Sequence, residues 1–348
     1  MNLFKKTLRL KEARDRGGAY LSPKQRPDGS FGVGLYDYYK TLTAFQVCGL
    51  NNQANALCDW IRAHAITPEG DFEPRPGDAG QFYYPYANSW IVIGAHRLGQ
   101  FDIAQKGMDF LMGFWDRQSG GFYSSQTERD ADTKQDVIYT GFCGLAALYT
   151  GRMEAARGVG RWMRTVLELQ PEFPQKLYTV YSRANGLHTT IDTEEQLRYV
   201  VLSDAKRDQK FFQPGVAAGF LARLFQATGE TEWLDLAKGY MRFVEGADDY
   251  LFHLVRAGKV GWAASLLYTL TGELKYKGIA ARIGDNLMAL QSRSGYWTAP
   301  EQHQPSNEVT AEMVIWLDEI DQAVSAKQGN SLIQKATRWD SRAAGSKL

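Results

Sequence analysis

Three cysteines, five histidines and a formal charge of only +1 rule out several classes of protein at once. Cys48, Cys58 and Cys143 are odd in number, lack metal-ligand spacing and lie in apolar helical stretches, so they read as small buried hydrophobes rather than a disulfide framework. Lys+Arg 40 against Asp+Glu 39, with no dense basic stripe, argues against nucleic acid as a partner. No apolar run approaches the roughly eighteen residues of a membrane span, since the segment from Trp90 to Leu98 is broken by His96 and Arg97. The start, MNLFKKTLRLKEARDR, reads as an amphipathic helix without the apolar core of a signal peptide. Nucleotide and metal motifs are missing, so no cofactor and no metal are expected. The sequence predicts a soluble, cytoplasmic protein whose partner is a small molecule. Ser346-Lys347-Leu348 spells a peroxisomal address, which keeps a peroxisomal location as the alternative.

What the chain has in abundance is a repeated plan. In GQFDIAQKGMDFLMGFWDRQSGGF, residues 99 to 122, a glycine closes one helix, a second helix follows, and a turn ends on an aromatic residue. The same plan runs from Gly49 to Phe72, Gly151 to Phe173, Gly229 to Tyr250 and Gly272 to Tyr296. Such constant spacing marks a repeat architecture whose units bury their apolar faces against one another. Counting Phe31, six aromatic turns each precede a helix of small or apolar residues, such as GFCGLAALYTG or VGWAASLLYTLTG. The partner helices carry more charge. Helices apolar nearly all round are buried and amphipathic ones face water, so the pattern predicts an all-α fold, an (α/α)6 barrel of six helical hairpins. The N-terminal helix and a final helix, Ser331 to Trp339, are expected to close the ring. A superhelical array or an irregular bundle is the plainer alternative. Residues 1–348 read as one domain, interrupted by a Tyr-, Arg-, Asp- and Glu-rich insertion at about 174–212 that suits a lid.

These features resemble the α/α-toroid enzymes. The stretch SGGFYSSQTERDADTKQDVIYTGFCGLAALY, residues 119 to 149, looks like the corresponding segment of N-acylglucosamine 2-epimerase-like proteins, while the GDF, GGF and GYW turns are similar to those of terpenoid cyclases. The epimerase-like segment has a Gln and an Arg early in its inner helix, where this chain has Tyr139, Thr140 and Phe142. The acidic motif of protonating cyclases is present only in part, as Asp130-Ala131-Asp132-Thr133.

In such a barrel the aromatic turns and the inner-helix N-termini surround one cup, and polar residues in those first turns are the candidates for chemistry. Lys40 beside Tyr39 could polarise an oxygen or move a proton, or belong to a Tyr-rich packing layer. Tyr84, Tyr86 and Asn88 suit a wall that is both apolar and hydrogen-bonding. Asp132 could serve as a general acid if burial raised its pKa, or lie in a solvated charge loop with Asp136. His188 in the insertion is the first-ranked histidine, with an exposed loop histidine as its plain reading. Gln213, His253, Lys259, Trp262 and Trp297 line later helix starts. Glu308 and Glu312 share a helical face, and either could be a general base if that face looks inward. Asp132, His188, Glu308 and Lys40 are therefore the catalytic candidates. The expected function is acid–base isomerisation, elimination or cyclisation of a partly apolar, terpenoid-like or natural-product substrate. A six-hairpin sugar epimerase or glycoside hydrolase is the first alternative, and a non-catalytic binding toroid the second. A greasy cup with one acid would favour the terpenoid, and a polar cup the sugar.

Overall fold

In the computed structural model, which describes residues 3–75, 83–299 and 304–325, two concentric rings of helices form an (α/α)6 barrel. The inner ring runs α2 (Leu35–Tyr38) with α3 (Thr41–Val47), then α5 (Tyr84–Arg97), α7 (Val137–Tyr149), α9 (Gln213–Thr228), α11 (Gly258–Thr271) and α13 (Asn307–Ser325). The outer ring is α1 (Leu3–Leu21), α4 (Asn51–Trp60), α6 (Phe101–Met112), α8 (Met153–Glu168), α10 (Thr231–Glu245) and α12 (Leu274–Leu290). Each inner helix packs on the next, and α13 packs back on α3, so the ring is closed. The pattern behind it is the one expected: α7 and α9 bury nearly every residue of their first three turns, whereas α8 and α10 bury one face.

The N-terminal helix does more than cap the ring. α1 packs along α13 as the sixth outer helix, with Arg14 Nη1 2.6 Å from Asp318 Oδ1. The final helix expected at 331–339, like the terminal Ser-Lys-Leu, lies outside the described residues.

Four of the aromatic turns are one device. Gly29, Gly70, Gly120 and Gly295 adopt φ of 87°, 96°, 88° and 94°, and each stands two residues before Phe31, Phe72, Phe122 and Trp297. A Cβ on any of them would fall 2.3–2.4 Å from a backbone oxygen of Ala56, Lys106, Gly158 or Arg16. The turn leaving one outer helix thus latches onto the backbone of the next, α4, α6, α8 or α1, and only glycine fits. In the sixth turn the aromatic in register is Trp297 rather than Tyr296. Phe173 and Tyr250 are not part of this device: Pro171 and Asp248 stand where the glycine would be, Phe173 enters the insertion, and Tyr250 sits in a 3-10 turn.

The insertion forms two small antiparallel sheets beside the start of α7. β1 (Gln135–Asp136) pairs with β3 (Val180–Ser182), which pairs with β4 (Gly186–Leu187), while β2 (Lys176–Tyr178) pairs with β5 (Val200–Leu202). A last ribbon, β6 (Trp297–Thr298) with β7 (Pro305–Ser306), leads into α13. No described helix is long and apolar enough to cross a membrane.

The latch yields a paired test. Gly120→Ala adds a clash with the Gly158 carbonyl to the cost of a left-handed residue, and is expected to lower stability by about 3 kcal/mol or more. Gly151→Ala, at φ 79° with nothing near the added methyl, is expected to cost only about 1 kcal/mol. Equal urea midpoints for the two variants would sink the latch.

Candidate active site

Inner-helix geometry decides what meets at the barrel axis. α2 and α3 are one helical path broken at Tyr39-Lys40, whose backbones stay right-handed. Lys40 thereby points to the axis, opposite the inward face of α13 that carries Glu308 and Glu312. Lys40 Nζ is 2.9 Å from Glu308 Oε1 and 2.5 Å from Glu312 Oε2. Lys259, in the first turn of α11, donates to Glu312 Oε1, the same oxygen that accepts Trp316 Nε1 at 3.0 Å. Tyr39 donates its hydroxyl to Glu308. The two lysines and Glu312 are buried, and the Glu308 side chain, 42% exposed, is the member that meets solvent.

Below these charges lies an aromatic floor. Trp90 of α5 stacks on Phe142 of α7 at 4.8 Å, Phe142 on Trp262 of α11 at 6.3 Å, and Trp262 on Trp316 of α13 at 5.4 Å. Trp316 returns to Trp90 edge-on at 5.7 Å, closing a ring of four side chains across the axis. α9 contributes bare backbone here, since a Cβ on Gly219 would sit 2.3 Å from the Trp262 ring. Lys40 lies over the rings of Tyr39, Tyr86 and Trp90, and Lys259 over Phe212 and Trp316. Quadrupoles thus supplement the carboxylates as partners for the buried ammoniums. Beneath the floor a cavity of about 30 Å³, enough for roughly one water, is lined by Thr43, Arg97 and the same aromatics.

The two lysines share a carboxylate yet shift in opposite directions. Burial alone would depress Lys40, but Glu308 and Glu312 outweigh it and hold the ammonium well above its ordinary value. Burial depresses Lys259, and with Glu312 as its one close carboxylate and Lys40's charge adding to the penalty, the net shift is downward. Burial would raise Glu312, yet Lys259 and Lys40 hold it well below the usual carboxylate range. Burial holds the phenols of Tyr39 and Tyr86 protonated well above the usual pKa.

Of the residues singled out from sequence, Lys40, Tyr39, Tyr86, Lys259, Trp262 and Glu308 meet at this centre. Tyr84 and Asn88 belong to a different network: Asp71 accepts from the Tyr84 hydroxyl, from Asn88 Nδ2 at 2.8 Å and from Arg75 Nη2 at 2.9 Å, tying the Phe72 turn to α5. Asp136 caps α7, accepting Ile138 N and Gln213 Nε2 on Oδ1, both at 2.9 Å. Burial raises its pKa against the opposing influence of Lys210. Asp132 is exposed and accepts from Asn185 at 3.2 Å, in the solvated loop that was its plain reading. His188 is half-buried beside Ser182 Oγ and the Tyr199 ring in the insertion, and burial lowers its pKa. His253 is exposed in a 3-10 turn, and Trp297 is a turn anchor whose Nε1 donates to Leu287 O. Among the described residues no group of His, Cys, Asp or Glu could hold a metal ion. Trp90, Phe142 and Trp316 were not anticipated, because in an all-apolar helix a floor residue has the same signature as any core residue. Lys210, which donates to the Tyr83 hydroxyl at the rim, lies in the aperiodic insertion where spacing carries no signal.

No family model matches the chain, and no curated protein matches it in sequence. Solved structures do match in fold. A D-mannose isomerase superposes with a TM-score of 0.67 at 13% identity, over 89% of this chain and 96% of its own. The GH76A α-1,6-mannanase from Salegentibacter sp. HEL1_6 gives 0.62 at 13%, over 90% and 99%. An unsaturated glucuronyl hydrolase specific for heparin gives 0.58 at 11%, over 90% and 96%. At these identities the likeness is one of fold, the α/α toroid.

Glu312 should behave as a buried counter-ion. Glu312→Gln leaves two buried lysines short of charge and is expected to cost about 3–5 kcal/mol. The wild-type contribution of Glu312, whose folded pKa lies below the ordinary 4.5, is present above that value and lost as pH falls. In the variant, Lys259 should be depressed further, so stability should rise with pH in the window below the ordinary lysine value of 10.5. Urea titrations from pH 4 to 10 measure both slopes, and a variant with the wild-type pH profile would refute the assignment.

Proposed function

We propose that this protein is a metal-independent sugar isomerase or epimerase that moves a proton at the carbon beside a carbonyl. The observation that carries the reading is Glu308, a carboxylate at the solvent side of the cup that accepts a phenol and an ammonium from Tyr39 and Lys40. A carboxylate so placed can take the proton from carbon. Tyr39, kept protonated by burial, can donate to the carbonyl oxygen, and the Lys40 ammonium can stabilise the enediolate charge as it develops. Glu312 stands behind them and, with Glu308, keeps Lys40 charged, while Lys259 helps hold Glu312 ionised. Reprotonation of the same carbon on its opposite face gives epimerisation, and of the neighbouring carbon isomerisation.

Above its aromatic floor the cup carries a charged, hydrogen-bonded set of side chains, which supports a polar substrate over the terpenoid-like one, and the sugar-active fold neighbours support the same choice. Hydrolysis of a glycosidic bond needs a second carboxyl group that acts as an acid near neutral pH. Glu312 is held ionised between two lysines, and Asp136, whose carboxyl burial raises, is committed to capping α7. Those commitments favour proton transfer over glycoside hydrolysis.

The test is interconversion of aldoses, ketoses and N-acylhexosamines followed by NMR in D2O. Wild type should incorporate deuterium beside the carbonyl, and Glu308→Gln should slow turnover about 10²–10⁴-fold with little change in melting temperature. Tyr39→Phe should lower kcat more than it raises KM. A sugar converted at the wild-type rate by Glu308→Gln would overturn the proposal.

A further inference from the structure

The insertion departs from the repeat, and it builds a second feature on the cup side of the barrel. A cavity of about 670 Å³ opens between it and the starts of α5 and α11. Every lining residue except Tyr83 and Arg256 comes from the insertion. Four cationic side chains, Arg198, Arg207, Lys210 and Arg256, face two carboxylates, Glu194 and Asp208. The excess is local, because the whole chain carries a formal charge of only +1.

Several contacts hold the insertion, Lys210 and Arg256 in place. The Gln209 side chain accepts Leu202 N at 3.0 Å and donates to Leu202 O at 2.5 Å, locking the loop before α9 onto β5. Lys210 next to it donates to the Tyr83 hydroxyl, which ties the insertion to the start of α5. Ser203 O accepts Asp248 N at 2.7 Å, and Arg256 Nε lies 3.7 Å from Asp208, which ties it to the approach of α11. Lys210 is half-buried and burial depresses its pKa, with Arg198 and Arg256 adding to the effect and Asp136 opposing it. An anion placed among these groups relieves the repulsion, and guanidinium groups match the planar or tetrahedral oxygens of carboxylate and phosphate. Arg256 stands one helical turn above Lys259, so the cavity lies at the same end of the barrel as Glu308.

We infer that the substrate is an acidic sugar whose carboxylate or phosphate is bound by Arg198, Lys210 and Arg256 while its carbonyl end reaches Glu308. The inference rests on the sugar reading for the identity of the ligand, and on the cavity for its charge. The insertion then selects the substrate and the helices transform it.

Calorimetric titration of the full chain with D-glucose, D-glucuronate, D-glucose 6-phosphate and inorganic phosphate tests this. At least one acidic sugar should bind about tenfold or more tightly than glucose, and phosphate should compete with it. The preferred acid identifies the group as carboxylate or phosphate. Arg198→Gln and Arg256→Gln should remove most of the preference while leaving glucose binding unchanged. Should Arg256→Gln fail to fold, Arg198→Gln, on the exposed insertion, decides the matter alone. Repeating the titrations in Glu308→Gln separates the two readings, because the acid preference should persist there whatever happens to turnover. Equal affinity for neutral and acidic sugars, or a preference untouched by Arg198→Gln, would overturn the inference.

Discussion

One carboxylate joins the first, fifth and last inner helices of the barrel. Glu312 of α13 accepts Lys40 from a position 272 residues away and Lys259 from one 53 residues away, at the seam where α13 meets α3 and the ring closes. Burying three charges is costly, and apolar packing could fill the same space at lower cost. What the charges provide is a fixed arrangement, because each lysine is correctly paired only when the seam is in register. The floor of Trp90, Phe142, Trp262 and Trp316 shields this set from the opposite mouth of the barrel. A low-dielectric support beneath a half-exposed Glu308 is a setting in which small displacements of charge have large effects.

The same seam explains the role of the N-terminal helix. Hairpins repeat along the chain, so the last inner helix needs an outer partner from somewhere, and α1 supplies it through Arg14 and Asp318. The glycine latches then pass from α1 to α4, α6 and α8 and from α12 back to α1. They are missing on either side of α10, the sector where the insertion and the cationic cavity lie. Regular latching holds four of the six turns, while the other two lack it and border the residues that distinguish this chain from a bare toroid.

Much of this was legible in the residues, and the misses have physical causes. The period of glycine, helix and aromatic turn fixes the barrel because period reports burial directly. Lys40 with Tyr39, and Glu308 with Glu312, stand out as charges at the starts of apolar helices, where a buried charge needs a reason. Asp132 and His188 stand out instead as titratable loop residues, yet one lies in solvent and the other packs in the insertion. A loop's chemistry does not encode which way the loop faces. Trp297 and Tyr84 looked like cup walls and serve instead as turn anchor and network donor, because an aromatic with a polar tip suits either task.

By itself the sequence determined the helical period, the number of hairpins, the glycines that end five of the inner helices and the short set of charged residues that could not all be surface. Those are local properties, set by spacing and by the cost of burying a charge. Only the tertiary structure decided that Lys40, Lys259 and Glu312 share one site, that four aromatics from separate helices form its floor, and that the insertion sets its cations beside the starts of α5 and α11. Each of these depends on closing a ring over more than 260 residues, and no local preference along the chain specifies which side chains meet when it closes.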